Sequence, residues 1–222
     1  MSRKKGIISL IIGYAGAMLG LYGVVSFNRF VLMSLPLGMR MVVMIPIYWL
    51  IALIPIIVML VNKDKPVDYG LKKGNIGKQA VIGLAIGAAM SVVLTLMPHL
   101  LGFGEYFSSN KNYRFLWQFV YEFFYCIAAV GFVEELVFRG FIYKKIERIS
   151  GMTWAAVLGS SVLFGAFHIF GGNIYQMLMT AGIGAFLCFC RLKIKDCSLL
   201  SLVIAHGVYD ALIPVWTMVM AG

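Results

Sequence analysis

Apolar runs separated by short polar segments dominate the chain, at residues 6–27, 41–61, 80–101, 117–143, 154–170, 174–189 and 198–220. About 20 apolar residues make one helical crossing of a bilayer. The pattern therefore predicts an all-α, polytopic transmembrane helical bundle of about seven spans, filling 1–222 as a single integral membrane domain. An additional re-entrant or interfacial segment stays open. The first run follows Arg3, Lys4 and Lys5 and so begins like a signal peptide, but it is too long for the apolar core of one. It is read as a retained first span.

The polar segments carry an uneven charge. With the N-terminus cytoplasmic, the inner segments hold Arg3, Lys4, Lys5, then Lys63, Lys65, Lys72, Lys73, Lys78, then Lys144, Lys145, Arg148, then Arg191, Lys193 and Lys195. The outer ones hold only Arg29, Arg40, Lys111 and Arg114, while Arg139 lies near a helix end. Lysine and arginine collect on the cytoplasmic side of membrane proteins, so the expected topology has the N-terminus inside and the C-terminus outside.

Composition narrows the class further. Hydrophobic residues make up 61% and charged residues 13% of the 222, against about 25% charged in soluble domains. Mean hydropathy is +0.91. A soluble enzyme, a disulfide scaffold and a nucleic-acid binder are excluded, and the net charge of +10 reads as topology rather than as a phosphate-binding surface. Cys126, Cys188, Cys190 and Cys197 lie in or beside apolar runs and read as small apolar residues. Cys188 and Cys190 diverge on a helix and cannot jointly grip a metal. Gly16/Gly20 and Gly83/Gly87 have the spacing that lets membrane helices approach closely.

Against this background a few polar residues stand out, because ionisable groups in a membrane helix are costly and mark functional sites. In the fourth run, Glu135 and Arg139 are four apart with the acid first, the favourable order for a helical ion pair. Glu134 lies about 100° around the helix and is left for another partner, a division of labour suited to a general base. The alternative is a wetted helix end beside Lys144 and Lys145. In the fifth run Phe164 and His168 share a face, and in the seventh His206 and Asp210 do. A satisfied core histidine and a hydrogen bond between helices are the simpler readings of these two. His99 is expected at the interface. Glu134, His206 and Asp210 fall about 7 to 14 residues from the cytoplasmic ends of their spans. His168 falls deeper, unless the fifth span starts later than 154.

Taken together, Glu134-Glu135-x-x-x-Arg139, Phe164-x-x-x-His168 and His206-x-x-x-Asp210 resemble the three ordered motifs of the CPBP (Abi) family of intramembrane proteases, relatives of the CAAX prenyl endopeptidases. The resemblance covers 134–210. It implies a peptidase in which Glu134 activates a water with the help of His168. Glu135 and Arg139 would orient and charge-balance the site, and His206 with Asp210 would stabilise the oxyanion. Asp210 stands where the prenyl endopeptidases usually carry asparagine; an ionised aspartate has no proton to donate, so it would be protonated, would orient His206 or would do another job. The implied mechanism needs no cofactor. Zinc held by Glu134, His168 and His206 is the mechanistic rival, since such ligands suit it and it supplies hydroxide directly. The implied partners are a membrane-associated or lipidated peptide substrate and the bilayer, in the cell membrane. Two other functions compete: a bacteriocin self-immunity protein acting by binding alone, and a small transporter with a proton relay, although no inverted repeat is evident.

Overall fold

The computed structural model describes every position except 1, 72–73, 105–108, 110, 112, 171–172 and 222. Lys72 and Lys73 of the basic segments, and parts of the polar loop at 102–113, lie outside the described residues. Among the described residues seven helical runs are long and apolar enough to cross a membrane: Arg3–Ser34, Leu37–Val61, Ile76–Leu100, Leu116–Ser150, Thr153–Phe170, Ile174–Lys193 and Leu199–Met220. No strand occurs among them. The protein is an all-α, multi-pass membrane protein. Two compact units share the chain, one formed by 1–72 and 133–195, the other by 73–132 and 196–222.

In the first unit, α1 (Arg3–Phe30) turns its small residues inward: Gly6, Ser9, Gly13, Gly16 and Ala17 are buried. A Cβ on Gly16 would lie 2.4 Å from Cβ of Ile54, and one on Gly20 would lie 2.6 Å from the Leu50 carbonyl oxygen. Both contacts are to α3 (Leu50–Val61), so this glycine pair brings two helices into near-backbone contact. The expected second span is in fact two helices, α2 (Leu37–Tyr48) and α3, meeting at Trp49. Pro46 sits in the last turn of α2 and removes a backbone donor, and the amide of Ala52 bonds the Trp49 carbonyl three residues back, at 3.0 Å.

The fourth helical run also departs from expectation. It extends to Ser150 rather than 143 through α8 (Tyr143–Ser150), which ends on Gly151 at φ +71°. Arg139 is thus well inside a helix and not near its end. Lysine and arginine are good helix formers, and the basic residues at 144–148 are also partnered. Lys145 is fully buried, its Nζ 2.7 Å from Oδ2 of Asp64, and Arg148 reaches Oδ1 of Asp64 at 2.8 Å. Tyr69 also donates to Asp64. Burial pushes the Asp64 carboxyl up, but the hydrogen bonds from Lys145, Tyr69 and Arg148 outweigh it and hold the group below the ordinary carboxylate range. A folded value below the unfolded value of about 3.9 means that the stabilisation is full above that value and is lost as pH falls through the folded one. The stability gap between wild type and Asp64→Asn is therefore expected to be constant near neutrality and to close below about pH 4, which denaturation in detergent across pH will check.

A tight turn joins α8 to α9 (Thr153–Phe167). The antiparallel register follows from counting: Arg139 is 11 residues before Ser150 (150 − 139) and Phe164 is 11 after Thr153 (164 − 153). The Arg139 guanidinium accordingly lies over the Phe164 ring, 4.0 Å from its centroid. Beside this hairpin runs α10 (Ile174–Lys193), capped by the Asn173 side chain.

In the second unit, α11 (Leu199–Ala221) packs on α4 (Ile76–Ser91), which continues through a π turn at Val92–Leu96 into α5 (Met97–Leu100). It also packs on the π turn Cys126–Gly131 that follows α6 (Leu116–Tyr125). Cβ atoms on Gly83 and Gly87 would each lie 2.6 Å from a carbonyl oxygen of α11, those of Ser201 and Ala205, and one on Gly131 would meet the Val203 carbonyl at 2.6 Å. Backbone cannot retreat as a flexible side chain can. Gly87→Ala is expected to cost about 1–3 kcal/mol, read as a lowered thermal midpoint in detergent, with Gly23→Ala, which meets nothing within 4 Å, as the unaffected comparison. The four cysteines are buried, as read from their apolar surroundings.

Candidate active site

The charged residues of the fourth run occupy an unusual piece of helix. α7 (Phe132–Glu135) is a single turn between the π turn at 126–131 and a second π turn at Leu136–Ile142. Such widened turns recur at functional sites. Within the first unit, Glu135 and Arg139 form the predicted i, i+4 ion pair at 3.0 Å, with side chains 0% and 1% exposed. Glu134 is 3% exposed. The wetted helix end is thereby excluded.

Two features hold this turn in place. Arg191, in the last turn of α10, donates from Nη1 to the Arg139 carbonyl at 2.6 Å, reaching a peptide group of the π turn. Gly184 of the same helix leaves room for the guanidinium of Arg139, since a Cβ there would lie 3.0 Å from Nη2. Phe164 supplies the other wall through the contact already noted, and Phe138 stacks edge-on against Phe164 and Phe167 at 4.9 and 5.1 Å. The Phe of the second motif thus holds both a cation and a histidine.

His168 follows α9 at its C-cap and opens a short 3₁₀ turn. Its ring lies edge-on to Phe164 at 4.9 Å, and Nδ1 is 3.0 Å from the Phe164 carbonyl oxygen. A carbonyl only accepts, so Nδ1 carries the proton, and in the neutral ring Nε2 is left as an acceptor. The fifth helix starts at Thr153, so a later start does not level His168. The hairpin levels it instead: Glu135 is 15 residues before Ser150 (150 − 135), and His168 is 15 after Thr153 (168 − 153).

Tyr48 is the residue that the sequence reading missed. Its hydroxyl donates to Oε1 of Glu134, from the end of α2 where the proline-interrupted span breaks. In an apolar run a Tyr-Trp pair reads as an interfacial belt, and only Pro46, two residues earlier, signals a local departure from regular helix.

His206 and Asp210 belong to the second unit. Nε2 of His206 is 3.4 Å from Oδ2 of Asp210, with side chains 7% and 27% exposed, so the predicted same-face pair is present. Asp210 lines a cavity of about 410 Å³ with Lys111, Glu122 and Cys126, and Lys111 pairs with Glu122. His99 bonds the Thr95 carbonyl through Nδ1 at 2.8 Å. Among the described residues no group of three histidine, cysteine, aspartate or glutamate side chains is placed to share a metal ion.

Residues 115–212 match the family model described as type II CAAX prenyl endopeptidase Rce1-like. This is the segment that holds all three motifs, and over it the chain is similar to the type II CAAX prenyl endopeptidases. No curated protein and no solved structure matches the chain.

Proposed function

We propose, from the Rce1-like character of residues 115–212, that this protein is an intramembrane endopeptidase of the cell membrane, with its N-terminus cytoplasmic. It hydrolyses a peptide bond of a membrane-associated or lipidated substrate by a glutamate mechanism. The observation that carries the reading is the contrast between two adjacent buried carboxylates. Glu135 is neutralised by Arg139 at 3.0 Å, whereas Glu134 accepts from a neutral phenol. The phenol holds the Glu134 carboxylate in one orientation, as a general base requires.

In the proposed reaction Glu134 takes a proton from a water as the water oxygen bonds to the scissile carbonyl carbon. The C–N bond then breaks, and the same proton passes to the departing amine. His168, with Nδ1 committed to the Phe164 carbonyl, offers Nε2 to the water. The buried Glu135–Arg139 pair keeps the surrounding charge balanced while Glu134 cycles between its two forms. The motif resemblance gives His206 the role of stabilising the oxyanion. The 3.4 Å contact to Asp210 supports a carboxylate that orients His206 rather than one that donates to the substrate, and this accounts for aspartate in place of asparagine.

The test is hydrolysis by the purified full-length chain in detergent or nanodiscs, offered a library of membrane-associated and lipidated peptides with mass-spectrometric readout. Cleavage that disappears in His168→Ala and His206→Ala is the expected result. No cleavage of any peptide by wild type, or equal cleavage by both variants, would defeat the proposal.

A further inference from the structure

At the basic end of the first unit, a groove of about 380 Å³ runs between the first turns of α1 and the last turns of α3. Its walls are Ile8, Ile12, Ile57 and Val58, with Lys4 and Lys5 at its mouth. The polar groups on its floor satisfy each other, as the Asn62 amide donates to the Ser9 hydroxyl at 3.1 Å. What remains is an apolar slot, partly open at the surface, with two lysine side chains at the end where α1 begins.

The charge at this mouth has no counterpart among the described residues. Among the described residues no ion pair includes Lys4 or Lys5. The first turn of α1 contains no acidic residue. The two carboxylates nearest in sequence to Asn62 are committed elsewhere. Asp64 is held by Lys145, Arg148 and Tyr69, and Asp68 is held by the Lys65 amide and Arg148. An occupant must therefore bring its own anion and a long apolar part. Basic pockets between membrane helices on the cytoplasmic side bind anionic lipid headgroups by this combination.

We propose that the α1–α3 groove is a specific site for an anionic glycerophospholipid, with its phosphate between Lys4 and Lys5 and one acyl chain against Ile8, Ile12, Ile57 and Val58. The site is independent of the peptidase assignment. It makes the lipid a bound partner of the fold, beyond its role as solvent.

Native mass spectrometry of the full chain, released from detergent containing either phosphatidylglycerol or phosphatidylcholine, tests the site. Retention of one phosphatidylglycerol in preference to phosphatidylcholine is expected. Lys4→Gln/Lys5→Gln should weaken that retention on the order of thirtyfold, from the usual contribution of a lysine near an anionic headgroup. These lysines are exposed, so folding is preserved. The charge-matched pair Lys193→Gln/Lys195→Gln should leave retention unchanged, and Ile57→Trp should abolish it by filling the slot. Equal retention of the two lipids would overturn the proposal. So would equal weakening by the two lysine pairs, or wild-type retention in Ile57→Trp.

Discussion

Glu134→Gln is expected to lower peptide cleavage by about 10²–10⁴-fold, the contribution of a positioned general base, with the thermal midpoint in detergent close to wild type. The side chain is nearly isosteric, and its amide oxygen accepts the Tyr48 hydroxyl as the carboxylate oxygen does. What is lost is proton affinity alone. Rates on one peptide identified as a substrate of the wild type, at saturating and limiting concentrations, separate this from weakened binding. A loss in kcat at unchanged KM is the signature of a group acting only in the transition state. Activity within threefold of wild type would remove Glu134 from the chemistry.

The second large effect concerns stability. Arg139→Leu leaves Glu135 with its buried cation gone, and breaking one partner of a buried ion pair typically costs about 3–5 kcal/mol. Glu135→Leu/Arg139→Leu removes both charges and is expected to recover most of that loss, because an apolar pair avoids the desolvation that the ions suffered. Peptide cleavage should not return with it. Denaturation of the two single variants and the double variant, read as a cycle, reports the coupling between the pair. Stability of Arg139→Leu equal to wild type would show that the pair contributes nothing to the fold.

How much of this was legible beforehand depends on the range of the interaction involved. The seven spans follow from local hydropathy, and the glycine pairs Gly16/Gly20 and Gly83/Gly87 met helix backbones or side chains because small residues at that spacing have one packing use. The Glu135–Arg139 pair was equally visible, being set by helical geometry alone. What escaped were consequences of partners distant in sequence. The extension through α8 lies past the apolar run that hydropathy reads, and its partners Asp64 and Asp68, some eighty residues earlier, pair with Lys145 and Arg148 only in the folded chain. That extension is also why His168 comes level with Glu135, a match that seemed to need a later start for the fifth helix. Tyr48 was hidden for the same reason, since a phenol in an apolar run shows its role only once Glu134 is placed against it.

The π turn at 136–142 amounts to one residue more than a regular helix would use over the same rise. Deleting a single residue from 136–138 would let the segment relax to ordinary α geometry with the flanking helix kept in phase, because the wide turn absorbs the extra residue, and it would bring Glu135 and Arg139 from four residues apart to three. Every motif residue would still be present, and Glu135 would meet Arg139 at i, i+3, a spacing that also supports an ion pair. Among natural variants of this chain, a one-residue gap in that stretch should therefore be milder than loss of a carboxylate, and conservative substitutions at its apolar positions should be tolerated.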